Sequence, residues 1–390
     1  MRRLKLGRKA AQRLESGHVW VYRGEVEGEL TADTCETALL VDERGRLLGS
    51  ALVDGASPVP VRLYSRRDVE FDSALLKPRI EAAIAWRRRL VANSNTGYRL
   101  IFSESDMLPG LIVDRFGDSM AVQLGMRNYL PLLADLVSEL QGAVLNEAGI
   151  ECVVIEETGK RSLFLGDVSK TKVIYRLNSL EFEADLMEGP KTGAFLDQRE
   201  NYLATRSWIE RLGIEGRALD LFSSSGGFAL QMAGVMGQVD AVDSSESAVA
   251  RIQGNAARNG ISNVRAIESD VKQFLRGLGQ ARRRYECIVV DPPAFAKQTR
   301  QKEEATRAYY DLNLRALSAV APSGLFVTCS CSRAISEQDL LDILREVSRE
   351  SRRTLTLLEK RGQSTDHRVV LQIPESSYLK CLYFSVSSSV

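Results

Sequence analysis

The run from Ala218 to Phe228, Ala-Leu-Asp-Leu-Phe-Ser-Ser-Ser-Gly-Gly-Phe, constrains the fold more than any other part of this chain. Apolar residues lead up to Asp220 and Leu221, small residues follow, and a helical pattern of Phe228, Ala229, Leu230, Met232 and Ala233 starts near Gly227. That is a strand, a tight turn and a helix, the first half of a βαβ unit. Further on, Val239, Ala241 and Val242 form a second apolar run that ends on Asp243. An acid at the tip of the second strand of a doubly wound sheet is placed to accept hydrogen bonds from ribose hydroxyls. The stretch is therefore expected to hold an adenosine-containing cofactor.

The turn selects among such cofactors. A dinucleotide site needs Gly-x-Gly-x-x-Gly, because backbone amides must close on a pyrophosphate at the helix N-terminus. Three serines fill this turn instead, which disfavours a nicotinamide oxidoreductase. S-adenosylmethionine has no phosphate and asks only for a small-residue turn beside its amino-acid end and a carboxylate for its ribose. The expected contacts are Asp220, Phe222, Ser224, Ser225, Gly226, Gly227, Asp243 and Ser244.

Beyond the turn, strands are expected over Val264 to Ile267, Cys287 to Val290 and Gly324 to Cys331. Helices are expected over Glu246 to Asn259, Ala305 to Val320 and Leu340 to Val347, the last capped by Ser336 with Asp339. This alternation makes a doubly wound α/β sheet with its ligands at the strand carboxyl ends, where Asp220, Asp243, Asp270, Asp291 and Cys331 fall. Asp270 there can touch the adenine amine or cap the following helix.

Asp291-Pro292-Pro293-Ala294-Phe295 is more specific. Two prolines in series fix the backbone and remove two donors. Asp291 is thus presented to a ligand in one geometry, with Pro292 and Pro293 beside a planar base and Phe295 available to stack on it. Such a motif suits methylation of an exocyclic amine or of a ring carbon. Cys331 separates the two, because C5 of a pyrimidine is a poor nucleophile until a thiolate adds at C6. A buried structural cysteine is the alternative for Cys331. Cys329 and Cys331 alternate and are expected to share one strand face, the more terminal lying nearer the ligand.

The remaining chain frames this centre. At 390 residues it can hold two or three cores, and 44% apolar with 26% charged residues is ordinary for a soluble globular protein. A net charge of +1 gives no global attraction to nucleic acid, so binding would fall to local patches: the group Arg2, Arg3, Lys5, Arg8, Lys9 and Arg13, then Arg87 to Arg89, then Arg282 to Arg284. Each reads equally well as a solvated face. No apolar run is long enough for a membrane span, so the chain is expected to be cytoplasmic. Six cysteines without Cys-x-x-Cys spacing and two histidines speak against a structural zinc or other metal site. Residues 1–72 read as short strands, a small β domain suited to docking on a partner; residues 73–186 read as an α+β connector, and residues 187–390 as the catalytic domain. The polar run Gly189 to Asn201 reads as a functional loop with Lys191 as a substrate contact, or as a helix start capped by Asp197.

Nearly end to end, the chain resembles the large-subunit ribosomal RNA cytosine-5 methyltransferases with an amino-terminal PUA domain. The resemblance runs through Gly17-His18-Val19-Trp20-Val21-Tyr22, Glu104 to Gly110, Val113 to Gly117, Lys191 to Asn201 and Asp220 to Phe228. It continues through Asp291 to Phe295, Tyr310-Asp311-Leu312-Asn313, Ser330-Cys331-Ser332, Asp366-His367 and Tyr378-Leu379-Lys380. It implies a PUA β-barrel, a central α+β domain and a class I, Rossmann-like methyltransferase domain. It also implies Cys331 as nucleophile, Gln198 as a cofactor contact, and large-subunit rRNA or a pre-ribosomal particle as partner. Two departures stand out: Ser224 and Ser225 replace the family's usual aromatic and threonine, and Arg368 replaces a proline after His367. A homodimer is permitted, and the apolar run Leu382 to Val386 is one edge on which to expect it. Two other readings stay open at this point, an amine methyltransferase for which Asp291 and Phe295 suffice and a non-catalytic RNA-binding scaffold.

Overall fold

The computed structural model describes residues 1–92, 94–144, 149–296 and 301–388. They form two compact units. The first comprises Met1–Ser179, Ala184–Leu196 and Thr365–Ser376, and the second Leu180–Glu183, Asp197–Ser364 and Ser377–Val390.

In the first unit, β1 (Arg2–Lys5), α1 (Arg8–Glu15), β2 (Trp20–Val21), β3 (Cys35–Val41), β4 (Leu47–Asp54) and β5 (Val61–Ser65) build a five-stranded sheet of order β1-β3-β4-β5-β2. The helix α1 was not expected from the sequence. Its apolar side is only Ala10, Ala11 and Leu14, all buried, and the basic residues between them mask the period. Next come α2 (Ser73–Leu90), β6 (Gly97–Phe102), β7 (Leu111–Phe116), β8 (Ser119–Leu124), α3 (Leu133–Val144), β9 (Cys152–Glu157) and β10 (Lys160–Leu165), with a second sheet of order β10-β9-β8-β7-β6. Along α2, Leu76, Ile80, Ala83, Ile84 and Arg87 are buried at helical spacing, and Asp72 caps the start by accepting from Leu75 N at 2.9 Å.

Arg87 corrects one sequence expectation, since it belongs to no basic surface patch. Its side chain is 0% exposed and donates to Asp106 Oδ1 at 2.6 Å, to Arg99 O at 3.1 Å and to Asp366 O at 2.8 Å. Beside it Arg99 meets Asp114 through two bonds of 2.8 and 2.7 Å. A buried cation that loses its partner retains the full cost of desolvation. Asp106→Ala should therefore destabilise this unit by about 3–5 kcal/mol in urea unfolding, and a loss under about 1 kcal/mol would show that the pair is dispensable. The other patches are also partly neutralised: Arg13 pairs with Glu25, Arg2 with Glu36 and Arg283 with Asp240.

A hairpin of β11 (Lys172–Leu177) and β12 (Leu180–Asp185) precedes the second unit's main elements. These are α4 (Arg199–Leu212), β13 (Arg217–Leu221), α5 (Gly227–Ala233), β14 (Gln238–Asp243), α6 (Glu246–Arg258), β15 (Val264–Glu268), α7 (Val271–Ala281) and β16 (Tyr285–Val290). They continue with α8 (Lys302–Ser318), β17 (Val320–Ser330), α9 (Glu337–Ser351), β18 (Arg353–Arg361) and β19 (Lys380–Ser388). The seven-stranded sheet has the order β15-β14-β13-β16-β17-β19-β18, parallel except for β19, which is antiparallel to both of its neighbours. Strand order reverses beside β13, which puts a crevice at its carboxyl end.

The central strands read as near-continuous apolar runs because both faces are covered: Cys287, Ile288, Val289 and Val290 are all buried. Leu382 to Val386 is not an edge, as the sequence had suggested. β19 lies between β17 and β18, and Leu382, Tyr383, Phe384 and Val386 are buried. The later strand inserts inside the earlier one, and β18, which carries Arg353, Glu359, Lys360 and Arg361 and has no buried residue, takes the edge. No helix of the described residues is long and apolar enough to cross a membrane.

Candidate active site

The turn between β13 and α5 is strained backbone. Phe222 (φ 64°) and Ser224 (φ 53°) both adopt left-handed conformations, as does Gly226 (φ 85°). Such conformations in non-glycine residues are costly and cluster at functional sites. Glycine at 226 is favoured by its left-handed φ, and a Cβ there would also displace the Leu230 side chain, 2.4 Å away at Cδ1. The turn is fastened by acids. Asp243 Oδ2 accepts from Ser224 N at 2.9 Å and its Oδ1 from Ser245 N at 3.0 Å, while Ser244 is exposed and Asn255 Nδ2 donates to Ser225 O at 3.0 Å.

Asp220 is the unusual member. Its Oδ2 accepts from Ser223 Oγ at 2.6 Å and Ala229 N at 3.1 Å, yet its Oδ1 is buried with no hydrogen-bond partner. Burial pushes its carboxyl up to about 7 from 3.8, against the two hydrogen bonds and with Asp243 adding to the rise. A buried acid lacking a partner on one oxygen suits a cationic group in the crevice. Two carboxylates lining one turn suit an ammonium and a ribose diol and repel a pyrophosphate. The residues thus fit S-adenosylmethionine. Asp270 caps α7 with one carboxylate oxygen, Oδ1 accepting from Gln273 N at 2.9 Å.

At the tip of β16, Asp291 N donates to Leu221 O at 3.3 Å, tying the Asp-Pro-Pro loop to the cofactor strand. Pro292 is buried and Pro293 exposed. Phe295 packs against Tyr309, ring centroids 4.8 Å apart at 59°, so part of its surface is already covered. The ladder of β17 ends at Ser330, and Cys331 follows it, half-buried. Cys329 is fully buried, with Sγ 3.2 Å from Cys381 Sγ, and burial raises its thiol well above the usual range.

Tyr309, which sequence reasoning missed, organises the turn around Cys331. Its hydroxyl accepts from Ser330 Oγ at 2.9 Å and lies 3.0 Å from Ser332 Oγ. Ala296 N also reaches Ser332 Oγ, at 3.3 Å, joining the Asp-Pro-Pro loop to the cysteine turn. One helical turn on, Asn313 accepts from Thr328 Oγ1 at 2.7 Å and donates to Tyr309 O at 2.7 Å. The signal was the neighbouring Tyr310-Asp311-Leu312-Asn313, whose supporting tyrosine sits one residue earlier.

Gln198 is buried at the start of α4. Its Oε1 accepts from Asn201 Nδ2 at 2.6 Å, while its buried Nε2 lacks a hydrogen-bond acceptor and has the Cys329 sulfur as an electrostatic neighbour. Asp197 does not cap this helix. The cap position is Gln198, with no side-chain cap bond, and Asp197 Oδ2 instead accepts from Tyr378 Oη at 2.8 Å. Lys191 belongs to the first unit, where its ammonium lies 4.4 Å from the Phe195 ring centroid.

A seven-stranded sheet of this order, with acids at the tips of β13 and β14 around a small-residue turn, defines a class I methyltransferase that uses S-adenosylmethionine. A model of PUA-like domains matches residues 4–66, and a model of S-adenosylmethionine-dependent methyltransferases matches residues 163–384. A ribosomal RNA large subunit methyltransferase of Deinococcus radiodurans is 31% identical over 404 residues, covering 98% of this chain and 97% of the relative. Ribosomal RNA large subunit methyltransferase I of Klebsiella pneumoniae is 31% identical over 392 residues, covering 97% and 96%. The chain belongs to this family of PUA-containing, S-adenosylmethionine-dependent methyltransferases. Among solved structures, the methyltransferase SMU.776 complexed with SAH has the same fold, with a TM-score of 0.85 at 18% identity over 99% of this chain and 100% of that one. An S-adenosylmethionine-dependent methyltransferase from Streptococcus mutans gives 0.83, also at 18% identity over 99% and 100%.

Proposed function

We propose that this protein methylates C5 of a cytosine in large-subunit ribosomal RNA. S-adenosylmethionine supplies the methyl group. The Cys331 thiolate adds to C6 of the base, which makes C5 nucleophilic; after methylation a base removes the C5 proton and the thiolate leaves. In this reading Asp291 holds the cytosine, with Pro292, Pro293, Phe295 and Lys191 as further substrate contacts. Gln198, Asp220, Phe222, Ser224 to Gly227, Asp243, Ser244, Asp270 and Asp291 contact the cofactor. The observation that carries it is the half-exposed Cys331 just past β17, with its turn hydrogen-bonded to the Asp-Pro-Pro loop through Ser332 and Ala296.

The accompanying reading of the chain is three-part, with a PUA-like RNA-binding domain over 1–72, an α+β domain over 73–186 and the methyltransferase domain over 187–390. It acts in the cytoplasm on free rRNA or a pre-ribosomal particle, off the membrane, and a homodimer is compatible with it. The test is nucleoside analysis by mass spectrometry of large-subunit rRNA methylated by the purified enzyme, the RNA coming from a strain lacking the gene. 5-methylcytosine as product supports the reading. A methylated exocyclic amine replaces it with amine transfer, and no product on RNA or particles leaves an RNA-binding scaffold.

A further inference from the structure

Lys380 opens β19 directly opposite Ser330, the last ladder residue of β17. Its ammonium turns back into the protein, donating to Ser332 O at 2.8 Å and Tyr378 O at 3.0 Å. The first of these carbonyls belongs to the residue immediately after Cys331. Both acceptors are neutral, and among the described residues no carboxylate lies within 4.0 Å of Nζ. A half-buried cation without a counter-ion is uncommon, because desolvation penalises the charged form. The charged forms that favour its protonation are, in order, Cys331, Asp339 and Glu337. Both carboxylates are already engaged, Asp339 with Lys302 at 2.8 Å and Glu337 with Lys360 at 2.6 Å.

We propose that Lys380 is the positioning residue for Cys331: it pins the turn through the Ser332 carbonyl, and its charge stabilises the Cys331 thiolate. This rests on the nucleophile reading above. Tyr309 senses the charged forms of both Cys331 and Asp291, and an ionised Asp291 in that neighbourhood works against thiolate formation. Lys380 supplies the opposing positive charge. Burial holds the lysine below its ordinary range, so part of its solvation has been given up and a nearby anion restores it. The turn is thereby fixed by two independent clamps, the Tyr309 hydroxyl through both serine side chains and the Lys380 ammonium through the backbone.

The test is iodoacetamide alkylation of Cys331 in the full-length protein, followed by peptide mass spectrometry from pH 6 to pH 10, with neither RNA nor cofactor present. Lys380→Gln keeps a hydrogen-bond donor and loses the charge; Lys380→Arg keeps the charge. Lys380→Gln should move the alkylation midpoint upward by about one pH unit, slowing modification near neutral pH about tenfold, and Lys380→Arg should restore most of the difference. In turnover the Gln variant should lose kcat with the KM for S-adenosylmethionine unchanged. An unmoved midpoint in a folded Lys380→Gln protein overturns the proposal, and so does an Arg variant that behaves like Gln. Because alkylation needs no methyl transfer, a moved midpoint without 5-methylcytosine product would sink the C5 reading and leave the lysine–thiol coupling intact.

Discussion

Cys331→Ala should abolish methyl transfer to ribosomal RNA, by on the order of 10⁴-fold, while Cys329→Ala stays within a few-fold of wild type. The two thiols are two residues apart, and their surroundings differ in kind. Cys329 is sealed between β17 and β19 against Cys381, with its thiol held protonated by burial. Addition to C6 requires a thiolate that can reach the face of a ring, and of the two it is Cys331 that is half-exposed, just beyond the last strand pair. Neither substitution touches the β13–α5 turn, so calorimetry should find S-adenosylmethionine still bound by both variants, with Cys331→Ala matching wild type. If Cys331→Ala retained more than about a tenth of the radiolabel transfer, nucleophilic catalysis by that residue would be excluded, since loss of a covalent nucleophile costs far more.

Asp220→Asn should stabilise the cofactor-free protein at alkaline pH and weaken cofactor binding at least about tenfold. Burial raises the Asp220 carboxyl from 3.8 to about 7. The native state therefore holds a proton that the unfolded chain releases between about pH 4 and pH 7, and stability falls across that window as pH rises. Above pH 7 the native protein carries the ionised form at a full cost on the order of 4 kcal/mol. A neutral amide at this position removes that cost. The gain in melting temperature should be large at pH 8 and vanish near pH 4, a pattern that a simple repacking effect would not produce. The same substitution removes the negative charge proposed to face the cofactor's ammonium through the partnerless Oδ1. Identical melting at pH 8, or undiminished cofactor affinity, would remove Asp220 from this role.

The fold of the methyltransferase half was legible because its apolar runs stop on acids or a cysteine, which marks strand ends. β13, β14, β15 and β16 lie within two residues of their expected ends. Tyr309 was not legible, because a tyrosine at helical spacing reads as core, and its hydroxyl acquires a task only when Ser330 and Ser332 fold against it. The position of β19 was equally hidden, since strand order in a sheet is not sequence order and an apolar run reads the same at an edge or inside. Arg87 looked like surface charge within an Arg-Arg-Arg triplet. Its burial depends on Asp106, nineteen residues away, and on a carbonyl at Asp366.

That carbonyl has a consequence for synthesis of the protein. Arg87, Ser105 and His18 are joined to Asp366, Arg368 and Glu375, so the first unit is completed by a segment translated long after it, Asp366 following Arg87 by 279 residues. Chains emerging from a ribosome generally fold domain by domain from the amino terminus. Here the amino-terminal unit must wait, its buried arginine short of a partner, until the residues around 366 leave the exit tunnel. A chain stopped before these residues would keep the Arg87–Asp106 pair but lack the Asp366 carbonyl, and the first unit would be left without its closing segment.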